Sequence, residues 1–147
     1  MEVWESALRE CVSMPVLLWL AIKDKREMKI RGAALVLAAV FLLLAGSFGT
    51  AAAGVRVGGA LFGVMILVFC YFSEEAMGLA DGIIILLLGI SFGLYETVAI
   101  CFFASLYAGL TSAALLIFRK AGRKTRIPFL PFLLLGYVSV ALLLHSV

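Results

Sequence analysis

Two clusters of basic residues, Lys23, Lys25, Arg26, Lys29 and Arg31, then Arg119, Lys120, Arg123, Lys124 and Arg126, bracket a long and almost uncharged stretch of chain. Short Lys/Arg-rich segments beside hydrophobic runs stay on the cytoplasmic side when helices insert into a bilayer. Both clusters therefore belong on one side, and the chain between them must cross an even number of times. A spanning helix takes about 20 apolar residues, at about 1.5 Å of rise each through roughly 30 Å of hydrocarbon. The 88 positions from Arg31 to Arg119 suit four crossings, with one more on either side.

The expected spans are residues 6–22, 30–48, 57–72, 77–95, 98–118 and 128–144. Hydrophobic residues make up 65% of the 147, and mean hydropathy is +1.18. An ordinary soluble domain is only about 45–50% apolar, so a water-soluble fold is excluded. The expectation is an all-α integral membrane protein, a bundle of about six transmembrane helices forming one domain over residues 1–147. Glu2, Glu5 and Glu10 outnumber Arg9 ahead of the first run, and positive charge follows it, which argues for a retained helix with its N-terminus outside. Gly59 and Gly63 have G-x-x-x-G spacing, a weak dimer signal. Cys11, Cys70 and Cys101 are too scattered for a C-x-x-C site. Nucleic acid is excluded as a partner, since the basic blocks are loop-length and lack interleaved aromatics.

The chain has only two aspartates, Asp24 and Asp81. The crossing count puts both on the cytoplasmic face, and the short fourth apolar run must begin before Asp81, setting that residue in the first turns of a helix. An ionisable group at the hydrocarbon boundary is by default a candidate functional site. Two carboxylates brought together do not both ionise easily, so one holds a proton while the other stays charged. That division suits hydrolysis, with the ionised group as base on a water and the protonated one as acid. Lys23, Lys25 and Arg26 should favour charged Asp24, the base; desolvation in GLADGII should favour neutral Asp81, the acid. The bland alternatives stand beside this: Asp81 as a helix cap or dipole partner, and Asp24 in a solvated ion pair.

Three blocks, in order, resemble the type IV prepilin peptidases, GxGD-type intramembrane aspartyl proteases. Asp24-Lys25-Arg26-Glu27-Met28-Lys29-Ile30 is similar to the family's D-x-R-x-x-x-I segment. Gly78-Leu79-Ala80-Asp81 is similar to its G-x-G-D signature, with Gly89 at the spacing of a following glycine. Arg126-Ile127-Pro128-Phe129-Leu130-Pro131-Phe132, followed by Gly136, is similar to its closing helix. The resemblance implies that Asp24 and Asp81 are catalytic, with Arg26, Gly78 and Ala80 supporting the motifs. It implies cleavage of the leader from type IV pilin-like precursors, for a pilus or a secretion system, at the cytoplasmic face of the cell membrane. The chain departs from the pattern in Ala80 for the second glycine, Ile83 for a common lysine, and Arg31-Gly32 for Pro-Asn. Alanine disfavours positive φ, so a tight backbone approach beside Asp81 is expected to suffer.

The cysteine-paired insert of bifunctional family members is missing, which implies the compact, peptidase-only form with no zinc and no other cofactor. The substrate would be a pilin-like precursor lying along the helices in membrane lipid, its basic leader met by Glu74, Glu75 and Glu27; the same glutamates could equally be a solvated loop, since exposed pairs contribute only about 0–1 kcal/mol. Two other readings remain open from the residues: a non-catalytic membrane subunit derived from the peptidase, and a small proton- or cation-coupled transporter.

Overall fold

The computed structural model describes residues 2–27, 32–47, 51–72, 78–118 and 128–146, with side chains described from Leu8 to Asp24 in the first helix and to Leu144 in the last. Six helices run in order: α1 (Glu2–Glu27), α2 (Gly32–Ser47), α3 (Ala53–Phe72), α4 (Leu79–Phe92), α5 (Leu94–Ile117) and α6 (Leu130–Ser146). Each coincides with one expected span. The main difference is α1, which continues through Pro15 and past the expected end at Ile22, so that Asp24 rides on helix.

Helices α3 and α5 are long and apolar enough to cross a membrane, yet only 17% and 11% of their apolar windows is buried within the chain. The core helix of a soluble protein would be mostly buried. Here Val57, Leu61, Phe69, Phe102 and Leu110 point outward instead. A contiguous apolar exterior of this kind is compatible with lipid and not with water. The chain is an all-α membrane protein.

The centre of the bundle is α4, which packs against α2, α3 and α5. It is apolar on nearly every side, as a helix surrounded by others must be, and Ile84, Ile85, Leu88 and Phe92 enter the core beside Leu17, Leu20, Leu42, Ile100 and Leu133. Small residues let neighbours close on it. A Cβ on Gly59 would overlap the backbone of Gly89, and one on Gly63 the backbone of Leu86. The G-x-x-x-G pair thus seats α4 against α3 within one chain, and does not need a second copy to explain it. On the other flank, a Cβ on Gly46 of α2 would stand 2.8 Å from the Cα of Ser91, whose hydroxyl donates to the Leu42 carbonyl at 2.7 Å.

Helix α4 turns into α5 at Gly93, whose φ of +87° is rarely adopted by residues with a side chain. Its N–H bonds the Gly89 carbonyl at 3.0 Å, closing a tight corner. Helices α5 and α6 pair closely, joined by the hydroxyls of Tyr107 and Ser139 at 2.9 Å, and α1 packs between α2 and α6.

Candidate active site

Both aspartates lie at helix ends on the same side of the bundle. Asp81 is the third residue of α4, following the N-cap Gly78 (φ −70°, ψ 143°). Its own N–H bonds the Gly78 carbonyl at 3.0 Å, and its carboxylate accepts the Gly78 N–H. That is the reciprocal half of a capping box, with an acidic side chain at N3 reaching back to the N-cap N–H. The capping geometry anticipated for Asp81 is therefore present. It leaves the residue only 9% exposed.

Asp24 stands half-buried near the end of α1, where its carboxylate accepts the backbone N–H of Leu130, the first residue of α6. Leu130, flanked by Pro128 and Pro131, opens α6, where the first N–H groups have no acceptor within the helix. The first bonds returning to Phe129 come from Phe132 and Leu133, so the Leu130 N–H is one of the unpaired donors of the opening turn. Such an N-terminus favours a nearby anion.

The Asp24 environment corrects one expectation. Neighbouring cations were expected to favour its charged form, but burial pushes its pKa above the ordinary carboxylate value, only partly offset by the Leu130 N–H. Lys23 does not turn toward it: that ammonium lies 4.9 Å from the centre of the Trp19 ring. The described ion pairs include none to Asp24. The side chains of Lys25 and Arg26 are outside the described residues, as are Glu27's side chain, Glu74 and Glu75, so the leader-binding glutamates have no structural account.

The Asp24 charge, on α1, is near enough to act on the Asp81 carboxylate, on α4. The floor of that region is a close α3–α4 seam. A Cβ on Gly82, next to Asp81, would come within 3.1 Å of the Leu67 Cα and 3.3 Å of the buried Cys70 thiol. Ala80, by contrast, occupies a regular helical position in the first turn of α4, where alanine is the most favourable residue, so the anticipated strain from losing glycine does not arise. Among the described residues, a Cβ on Gly78 would meet the Asp81 carboxylate, at 3.5 Å, an ordinary contact.

Sequence reasoning missed three participants: the Leu130 N–H, Cys70 beside the Asp81 turn, and an ion pair at the opposite end of the bundle. The paired prolines around Leu130 carried a signal for the first. Among the described residues no group of three His, Cys, Asp or Glu side chains converges in a metal-binding arrangement.

At the far end, Arg9 of α1 forks onto Glu96 of α5, Nη1 to Oε1 at 3.3 Å and Nη2 to Oε2 at 3.2 Å. The guanidinium also lies 4.8 Å from the centre of the Phe92 ring. Phe92 meets Tyr137 of α6 edge-on, with centroids 5.6 Å apart.

Compared with known proteins, residues 11–119 match the model of the type IV leader peptidase family. No curated protein and no solved structure matches the chain.

Proposed function

Because the chain belongs to the type IV leader peptidase family, and is therefore of a peptidase lineage, we propose that it is a membrane aspartyl endopeptidase cleaving the leader from pilin-like precursors. The observation that supports the reading is that the Asp24 charge, from α1, reaches Asp81, on α4, at one end of the bundle. Residues 1–147 act as a single multi-pass domain of the cell membrane, with this end toward the cytoplasm, where the positive-inside rule puts the basic clusters.

Asp24 is the less buried of the pair and accepts a backbone N–H, which supports it as the ionised partner. It takes a proton from water as the oxygen attacks the scissile carbonyl. Asp81, largely closed off from solvent, holds the proton that the pair retains and gives it to the carbonyl oxygen. Collapse of the tetrahedral species expels the amine of the new N-terminus, which takes up the proton that Asp24 removed. Such proton transfers typically contribute about 10² to 10⁴ in rate. Because the two sites titrate as a pair, the roles can exchange between steps.

The test is reconstitution in liposomes with a pilin-like precursor, comparing the natural chain with Asp24→Asn and Asp81→Asn. Cleavage by the natural chain that disappears in both variants supports the peptidase. A folded natural chain that leaves every precursor intact overturns it in favour of a non-catalytic subunit, and carboxylate-dependent ion flux in its place overturns it in favour of a transporter.

A further inference from the structure

The Asp24 charge reaches Asp81, but the helices that carry them are not directly paired along their length and share only the common core around Leu17 and Leu20. Helix α1 lies against α2 and α6, whereas α4 is gripped by α2, α3 and α5. The shared neighbour α2 and the core around Leu17 and Leu20 place α1 beside α4, and a direct directional tie between them would sharpen how far α1 is slid along, and turned about, its axis. At the inner end, among the described residues, Asp24 is tied to α6 through the Leu130 N–H. The direct polar tie from α1 to the α4–α5 unit is at the opposite end, where Arg9 grips Glu96 with two contacts and lies over Phe92, the last residue of α4.

The local chain is shaped to present that grip. The Gly93 corner separates Phe92 and Glu96 by a single tight turn, so both face one guanidinium. Arg9 is 9% exposed. A planar fork on a carboxylate with an aromatic face below defines direction as well as distance, which a point charge would not. Arg9 and Asp24 are separated by fifteen residue steps along one continuous helix. That makes a rod of about 22 Å, and the two side chains leave it within about 60° of the same face.

We infer that Arg9 and Glu96 are positioning residues: their fork sets the register of α1 against α4, and so sets where Asp24 stands relative to Asp81, a full helix length away. The inference rests on the peptidase reading for its consequence in catalysis, but its geometric content stands apart from it. A displacement of the order of 1 Å at reacting groups costs about 100-fold in rate, so a loosened register should appear in kcat while leaving KM nearly unchanged.

The experiment reads geometry and catalysis separately. In a chain with Cys11, Cys70 and Cys101 replaced by serine, Asp24→Cys and Asp81→Cys are introduced together, and the rate of joining by a short bifunctional thiol cross-linker is measured in membranes. The measurement is repeated with Arg9→Gln, with Arg9→Lys and with the charge swap Arg9→Glu/Glu96→Arg; in parallel, kcat and KM are measured for the same three changes with both aspartates in place. The expected result is a cross-linking rate lowered several-fold and kcat lowered by about 10- to 100-fold in Arg9→Gln and Arg9→Lys, with substantial recovery of both in the charge swap. Cross-linking in folded Arg9→Lys or Arg9→Gln protein equal to that of the parent overturns the inference and leaves an ion pair that serves stability alone. Should Arg9→Gln not accumulate, Arg9→Lys decides, since it keeps the charge and lacks the fork. If the natural chain cleaves no precursor, the peptidase reading fails while the cross-linking rates still judge the brace.

Discussion

The two ends of the bundle treat carboxylates in opposite ways. At one end Glu96 is held by a guanidinium fork that itself lies over an aromatic ring, the arrangement expected where a charge must be kept near lipid without disturbing the fold. At the other, the Asp24 charge bears on Asp81, and among the described residues each is steadied by a backbone N–H, from Leu130 and Gly78 respectively. A fold gains little from leaving two like-charged groups together in a half-desolvated space. Chemistry that passes a proton between two groups requires it. On the proposed function, the difference separates a carboxylate that holds structure from a pair suited to reaction.

The largest contrast should be in rate. Asp24→Asn or Asp81→Asn should lower precursor cleavage by at least about 10²-fold, toward 10⁴, measured as single-turnover cleavage in liposomes. Glu96→Gln should lower it by no more than about 10²-fold, as for a group acting through position alone. Equal, complete losses at all three would erase the distinction between the ends.

Stability should rank the ends in reverse. Removing one partner of a fully buried ion pair costs about 3 kcal/mol or more; the Arg9–Glu96 pair is part-buried, so Arg9→Ala should lower the unfolding midpoint in detergent by less than that figure implies, while Asp24→Asn should not lower it. Replacing both partners, as Arg9→Met/Glu96→Leu, should recover most of that loss. A smaller effect concerns the seam beneath the aspartates. Gly82→Ala must push against Leu67 backbone and the Cys70 thiol, an overpacking cost of about 1–3 kcal/mol. Gly78→Ala, with an ordinary φ and only a 3.5 Å contact, should cost below about 1 kcal/mol, as for a weaker N-cap. Parallel thermal melts of the two variants decide whether the seam or the motif glycine is the tighter constraint.

The smallest effect is in pH. Burial raises the Asp24 pKa above its ordinary value of 3.8, so between those two values the folded chain binds more protons than the unfolded one. Its contribution to stability is present below the ordinary value and is lost as pH rises through the raised one. The uncharged amide introduced by Asp24→Asn does not titrate and suffers no such loss. The melting difference favouring Asp24→Asn should therefore open with rising pH and close in acid; a gap that widens in acid would contradict the burial of Asp24. Catalysis that uses ionised Asp24 should likewise fade on acidification at a pH above that of a free aspartate.

Hydropathy and basic clustering located all six helices, because the cost of desolvating backbone and charge acts residue by residue along a chain. The placing of Asp81 in a first helical turn was legible for the same reason, since the apolar run after it is too short to stand alone. What escaped were contacts between helices. The Arg9–Glu96 pair joins residues 87 positions apart, and no periodicity announces it when α2, α4 and α5 are apolar on most faces. Gly59 and Gly63 advertised a close approach without saying to whom, and the partner proved to be α4 of the same chain. The surroundings of Asp24 were not legible because a neighbour in sequence need not be one in space: Lys23 turns back along the helix to Trp19.

Helix α4 has 14 residues, a length of about 21 Å against roughly 30 Å of hydrocarbon. Flanked by longer α3 and α5, it must stop short of the headgroups at one end or both, which leaves a dimple in the protein surface or a locally thinned bilayer. If the recess is at the Asp81 end, water has to descend into it, and a precursor would deliver its bond sideways from the lipid into a wet pit instead of presenting it at an open surface.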